Sequence, residues 1–165
     1  MIILGLDLSL NCTGYSVIKV ENGELEILEM DIINNKGVPA AEIGRKLKRV
    51  AEKITDLCNR YSFDYIVKEA SFNTGKIVST QRTFETYGVI LEKLYELGYE
   101  DIKEIAATTV KKYVGGSGKC SKEEVKQALD KYVGKQHYKT DDVSDAVAVV
   151  IAFIIRDLPH SITTE

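Results

Sequence analysis

Cysteine and histidine, which form disulfides in small secreted proteins or bind zinc, are scarce in this chain. It has three cysteines and two histidines among 165 residues. The cysteines, Cys12, Cys58 and Cys120, are odd in number and widely spaced, and none belongs to a CxxC pair. This pattern argues against a disulfide framework and against a zinc site. We therefore predict reduced thiols in a cytoplasmic protein.

The sequence also lacks any uncharged apolar run of membrane-spanning length, and no basic segment leads into an apolar stretch with a cleavage site. Both absences argue against membrane insertion and secretion, so no membrane partner is expected. The composition, 44% hydrophobic and 28% charged, is typical of a globular protein. The length suits one domain with a substantial core, which we place at residues 1–158, with a C-terminal tail at 159–165.

Positive charge is in slight deficit overall, with a formal net charge of -3, but it is unevenly distributed. Residues 1–40 hold six acidic residues and two lysines, whereas residues 103–139 hold nine lysines and four acidic residues. Such a distribution can place a basic face opposite an acidic one, as a nucleic-acid partner would require. A solvated helical surface is the alternative explanation.

The run Ile2 to Ser9 predicts a strand at the centre of a sheet, buried on both faces. An ionised carboxylate in such a strand needs a partner, which makes Asp7 the first candidate functional residue. Turn-forming residues at 11–14 and a second apolar strand at 15–18 put Asp7 near the end of the first strand. The alternative is a structural Asp7 that accepts hydrogen bonds from backbone amides of the turn.

The rest of the pattern predicts an α/β protein. The pair Asn22-Gly23 suits a two-residue hairpin and leads into a third strand at 25–33. Apolar residues at helical spacing predict a helix from Pro39 to about Arg60. The further predicted elements are strands at 63–67 and 102–106 and helices at 80–97, 108–113, 121–132 and 140–155.

Acidic residues from three separate segments are predicted to meet at one sheet edge. A strand reached through a helical crossover lies parallel to the first, so Glu69 would emerge beside Asp7. Asp142 and Asp145 share a face of the last helix, and Asp141 competes with Asp142 because it lies four residues before Asp145. Carboxylates without histidine or cysteine suit Mg²⁺ or Mn²⁺. Two such ions would activate a water and stabilise the leaving oxygen in phosphodiester hydrolysis.

Each of these acids also has an ordinary structural explanation. Asp142 and Asp145 could simply complement the dipole at the start of a helix. Glu69 could form a surface ion pair with its neighbour Lys68. The conjunction of all the acids at one edge favours a functional site.

Several motifs resemble, in order along the chain, the RuvC family of Holliday-junction resolvases within the ribonuclease H-like nuclease superfamily. The matching segments are 5–9 with 13–15, 67–72, 110–119, 122–125 and 142–148. Actin-like kinases share the opening motif, but they need two such domains, for which 165 residues are too few. The glycine- and lysine-bearing segment and the final Asp-x-x-Asp are more specific to the resolvases.

The resemblance implies a ribonuclease H-like fold: a five-stranded mixed sheet, three antiparallel strands and then two parallel ones, with helices on both faces. It implies a homodimer that cuts two strands of a four-way DNA junction, that is, a crossover junction endodeoxyribonuclease. It also implies a catalytic metal site with two Mg²⁺ or Mn²⁺ ions, held by Asp7, Glu69, Asp142 and Asp145.

DNA contacts are implied as well. An aromatic wedge three residues after the catalytic glutamate corresponds to Phe72, which could stack between bases at a branch point; a core position is the alternative. Lys111 and Lys122 match basic positions near the scissile phosphate, and Lys112 and Lys119 are expected phosphate contacts. For each lysine, ordinary helix surface is the alternative.

Two features depart from the family pattern: the chain is acidic, and the residues after Phe72 differ from those of typical bacterial members. A divergent, phage-encoded member would fit both. Two other functions therefore stay open, namely a flap or RNA/DNA-hybrid nuclease with the same site and a non-catalytic nucleic-acid-binding member. A branch-migration motor is a further partner that the resemblance leaves open.

Overall fold

The computed structural model describes residues 1–70 and 77–162. Its strands are β1 (Ile2–Asp7), β2 (Cys12–Glu21), β3 (Glu24–Asn34), β4 (Tyr65–Glu69) and β5 (Ile102–Ile105). Its helices are α1 (Ile43–Arg60), α2 (Ile77–Glu96), α3 (Ala107–Gly115), α4 (Lys122–Ala128), α5 (Asp130–Val133) and α6 (Asp141–Asp157).

All five strands form one mixed sheet in the spatial order β3-β2-β1-β4-β5. β1, β2 and β3 pair antiparallel, whereas β4 is parallel to β1 and β5 is parallel to β4. The β2–β3 turn contains Asn22 and Gly23 with φ angles of 52° and 86°, as a two-residue hairpin requires. The predicted sheet is therefore confirmed.

Apolar cores lie on both faces of the sheet. α6 covers one face and is buried along almost its whole length from Val143 to Ile154. α1 and α2 cover the other face, where Leu57 and Ile90 are fully buried. Because two helices suffice for the second face, each exposes its opposite side to solvent.

The helices and strands differ from the prediction chiefly in three places. α1 begins at Ile43 instead of Pro39, because residues 39–42 form a turn closed by the Glu42 amide on the Pro39 carbonyl. β2 begins at Cys12, so the turn after β1 is shorter than expected. The single helix expected at 121–132 is divided at Leu129 into α4 and α5.

The chain after α6 continues along the domain. Pro159–Ser161 form a short 3-10 turn, and Ile162 makes a bridge to Gly23 in the β2–β3 hairpin. The start of the predicted tail thus packs against the sheet. Across the described ranges, no helix combines the length and the apolar character needed to cross a membrane.

Candidate active site

Asp7 and Glu69 are the last residues of two neighbouring parallel strands at the centre of the sheet. Leu6 on β1 is paired in register with Lys68 on β4, so the next residues, Asp7 and Glu69, lie side by side. Neighbouring strands are about 4.8 Å apart, and in-register residues project to the same face. That face is the one covered by α6, because the residues two positions earlier on each strand also contact α6 or its core.

The start of α6 approaches β1 and β2 at very close range, which glycine permits. A Cβ built on Gly5 would lie 2.3 Å from the Ala146 carbonyl oxygen, and one built on Gly14 would lie 2.0 Å from that of Asp142. Ser16 donates a hydrogen bond of 2.8 Å to the same Ala146 carbonyl. These contacts place the acidic first turns of α6 at the ends of the central strands.

The predicted carboxylates interact strongly with one another. Burial, and then the negative charges of Asp145, Glu69 and Asp142, raise the pKa of Asp7 to about 7. Burial and the charge of Asp145 also raise the pKa of Glu69. Like charges in a partly buried space are unfavourable unless a cation neutralises them. Among the described residues, this cluster therefore has the electrostatic character of a cation site.

The donor set suits a hard divalent cation, because it consists of carboxylate oxygens. Within residues 1–70 and 77–162, however, no three Asp, Glu, His or Cys side chains already surround a common point. Lys122 instead pairs with Asp145, and its positive charge offsets part of the rise in the pKa values of Asp7 and Glu69. Coordination of a metal would therefore require Asp145 to exchange this ammonium group for the ion.

Asp142, not Asp141, contributes to this cluster. The Asp141 side chain is 72% exposed and pairs with Lys126 at 3.5 Å, whereas the charge of Asp142 acts on Asp7. Cys12 is a neighbour that the sequence analysis missed: burial and a hydrogen bond to Asp142 raise the pKa of its thiol to about 11. No sequence signal could have shown this contact, because it depends on how α6 docks against β2.

Two of the predicted lysines face the site. Lys111 and Lys122 line a pocket together with two acids of the cluster, Glu69 and Asp145. The sequence positions Lys122 through a capping box, in which the Ser121 and Glu124 side chains each bond the other's backbone amide at the start of α4. This cap makes Lys122 the first residue of the helix.

The remaining predicted DNA contacts lie outside that pocket. Lys112 is exposed on α3, with its ammonium 5.6 Å from the centre of the Tyr113 ring. Lys119 is exposed in the connection between α3 and α4. Phe72 lies outside the described residues, so its role as a wedge stays a prediction.

A five-stranded mixed sheet with acids at the ends of β1 and β4 and on its last helix defines the ribonuclease H-like class of nucleases. Within that class, the family model described as crossover junction endodeoxyribonuclease RuvC matches residues 3–153. The chain therefore belongs to the RuvC family, as its motifs predicted.

Individual relatives agree with this assignment. The crossover junction endodeoxyribonuclease RuvC of Ehrlichia ruminantium (strain Gardel) is 29% identical over 157 residues, covering 93% of this chain and 96% of its own. The protein of the same name from Bdellovibrio bacteriovorus is 30% identical over 151 residues, covering 90% and 87%. The structure of T. thermophilus RuvC in complex with Holliday junction substrate matches with a TM-score of 0.86 at 17% identity, covering 98% and 97%. The last comparison confirms the fold.

Proposed function

We propose that this protein is a metal-dependent endodeoxyribonuclease that resolves four-way DNA junctions by paired phosphodiester hydrolysis. The observation that carries the proposal is the cluster of carboxylates around Asp7, where burial, and then the negative charges of Asp145, Glu69 and Asp142, raise the pKa of Asp7 to about 7. Such a cluster is costly to the fold unless a divalent cation joins it. Membership in a family of junction endonucleases supports the substrate.

The carboxylates that would hold the metal are Asp7, Glu69, Asp142 and Asp145. We propose Mg²⁺ or Mn²⁺ as the metal, with two ions per site. When bound, these ions supply a water activated for attack and stabilise the charge on the leaving oxygen. The protein contributes the fixed ends of β1 and β4, and the glycine contacts that hold α6 against them, so the carboxylates converge at one edge.

The lysines would bind and orient the DNA. Lys111 and Lys122 lie at the pocket beside the acids, where their ammonium groups would contact the phosphate to be cleaved. Lys112 and Lys119 are exposed farther out and would contact flanking phosphates. Because these contacts release counterions, junction affinity should fall steeply with salt.

A second copy of the chain is the partner that we propose for the exposed side of α2. Ile77, Phe84, Leu91 and Tyr95 are 36% to 81% exposed there. Ile77, Phe84 and Leu91 are seven residues apart, as are Gly88 and Tyr95, which is the repeat along which paired helices pack. Open space at Gly88 would let the partner helix approach closely.

This dimer can be tested apart from cleavage. Sedimentation equilibrium should show a dimer for the wild type and a monomer for Phe84→Glu, because a charge would be buried in the interface. Lys48→Glu, on the exposed side of α1, is the control and should leave the dimer intact. A Phe84→Glu protein that stays dimeric would show that the exposed side of α2 is not the interface.

The proposed function is tested with synthetic four-way junctions, flaps and RNA/DNA hybrids, each with and without Mg²⁺ or Mn²⁺. We expect symmetric paired nicks in the junction, only with metal. A preference for flaps or hybrids would contradict the proposed junction substrate but not the proposed catalytic site. Binding without cleavage of any substrate would favour the non-catalytic alternative.

A further inference from the structure

The residue directly before Glu69 is a buried lysine. Lys68 is only 1% exposed, and because side chains alternate along a strand, it projects to the face opposite Glu69. This alternation and the burial of Lys68 rule out a surface ion pair between these two neighbours. Lysine is almost never fully buried without a partner, so the position needs a specific explanation.

Groups from three elements surround the Lys68 ammonium. Glu104, the in-register neighbour of Lys68 on β5, forms an ion pair with it, with 3.0 Å between Nζ of Lys68 and Oε1 of Glu104. The centre of the Tyr87 ring on α2 lies 4.1 Å away, which is a cation–π contact. The third group is the carbonyl oxygen of Glu69 itself, at a longer 3.5 Å. The ammonium thus ties the end of β4 to β5 and α2.

Tyr87 and Glu104 also contact each other, which closes the group into a triad. Burial and a hydrogen bond to Glu104 raise the pKa of the Tyr87 hydroxyl to about 12. The Glu104 side chain is 46% exposed, so water can solvate it in the absence of Lys68. Just beyond the triad, the Ala70 amide donates a bond of 2.9 Å to the Ile105 carbonyl, which continues the β4–β5 pairing.

Stability alone does not explain a lysine here. Removing two charges from water costs about as much as their attraction returns, and a well-packed apolar residue is often as stable or more so. The ion pair instead fixes the relative positions of three elements, because the Lys68 ammonium contacts β4, β5 and α2 at one point beside Glu69. We propose that Lys68 is a positioning residue, which, through Glu104 and Tyr87, fixes how the Glu69 carboxylate is presented to the metal site. This inference rests on the proposed catalytic role of Glu69 and adds a residue behind it.

The direct test is Lys68→Met, which keeps the volume of the side chain and removes its charge. Because Glu104 can be solvated, the melting temperature should stay within a few degrees of the wild type. We expect the single-turnover cleavage rate of a synthetic junction, with saturating protein and Mg²⁺, to fall about tenfold at unchanged junction affinity. The dissociation constant for Mn²⁺, measured by electron paramagnetic resonance without DNA, should rise by about the same factor, as for other residues that orient metal ligands.

Two further variants complete the experiment. Lys103→Met removes a lysine of β5 that pairs with Asp101 at 2.5 Å, and it should change neither the rate nor Mn²⁺ affinity. Glu104→Gln weakens the triad without removing Lys68, so it serves if Lys68→Met does not fold. When Lys68→Met and Glu104→Gln are combined, their effects on Mn²⁺ affinity should be less than additive, because each substitution disrupts the same ion pair.

Equal cleavage rates and equal Mn²⁺ affinities in the wild type and Lys68→Met would overturn the inference. So would a lower melting temperature with unchanged affinity per folded molecule, which would make Lys68 purely structural. A wild type that does not cleave junctions would refute the proposed function instead. In that case the Mn²⁺ affinities would still decide whether Lys68 positions Glu69.

Discussion

Asp7 and Glu29 are carboxylates of one sheet whose surroundings shift their pKa values in opposite directions. Burial and three other carboxylates raise the pKa of Asp7 to about 7. Glu29, on β3, forms a bidentate pair with Arg60 and accepts hydrogen bonds from Lys53 and Tyr15. Chiefly through the bond from Arg60, its pKa falls to about 2.

The difference separates two uses of acidic residues. The protein supplies its own cations around Glu29, so that cluster is complete and needs nothing further to be stable. Around Asp7 the described residues supply more negative than positive charge, and we propose that an external cation makes up the deficit. Strongly perturbed carboxylates of the second kind are typical of functional sites.

The largest expected effect is the loss of cleavage in Asp7→Asn. Metal ions contribute several kcal/mol to stabilising such a transition state, so losing a ligand should slow junction cleavage about a thousandfold or more. Junction binding should persist, because it depends on the lysines. The rate is measured on a labelled four-way junction, and near-normal cleavage by Asp7→Asn would remove this residue from the site.

Glu29→Gln should have the opposite profile. Losing a charge-assisted pair of this kind lowers the free energy of unfolding by about 2 kcal/mol, as urea denaturation would show. The cleavage rate of the folded protein should not change. If Glu29→Gln abolished cleavage without affecting stability, the distinction between the two clusters would be wrong.

Lys122 is a cation within the Asp7 cluster, and its removal should have an intermediate effect. Lys122→Ala should reduce junction cleavage about tenfold, as expected for the loss of one charge-assisted contact to the reacting phosphate. Lys126→Ala is the matched control on the same helix, because Lys126 pairs with Asp141 away from the pocket. Unchanged cleavage by Lys122→Ala at moderate salt would show that Lys122 is an ordinary surface lysine without a role in cleavage.

The smallest effect is on the pH dependence of stability, and its sign differs between the two acids. The pKa of Glu29 is lower in the folded chain than in the unfolded one, so its stabilisation is present above about pH 5 and is lost as pH falls towards 2. The pKa of Asp7 is higher in the folded chain, so metal-free protein should lose stability as pH rises from about 4 to 7.

Urea denaturation of metal-free protein between about pH 2 and pH 7 checks the direction of both stability changes. Glu29→Gln should flatten the acid side of the profile, and Asp7→Asn should flatten the loss towards neutral pH. Identical profiles in the wild type and both variants would show that neither carboxylate titrates as described.

Much of the site followed from the sequence because its geometry is set by short-range rules. Strand patterning and the crossover rule put Asp7 and Glu69 at one edge, and the spacing of Asp142 and Asp145 gave them one helix face. The choice between Asp141 and Asp142 needed the docking of α6 against β2. That docking depends on contacts between segments more than a hundred residues apart.

Other features gave no usable signal. Glu29 alternates with apolar residues on its strand, which is also the pattern of a solvent-exposed acid. Phe84 and Leu91 recur at a helical spacing that is also typical of a buried face, yet they are exposed. The second copy that we propose for this side of α2 would cover them. Lys68 carries a charge that predicts the surface, and only the fold shows the acid and aromatic ring that accommodate it.

The unbalanced charge around Asp7 is tested most directly by Mn²⁺ binding to the DNA-free protein, followed by electron paramagnetic resonance. We predict that the wild type and Glu29→Gln bind Mn²⁺ with equal affinity, and that Asp7→Asn binds it at least about a hundredfold more weakly. Equal Mn²⁺ affinity in all three proteins would contradict a metal site built on these carboxylates.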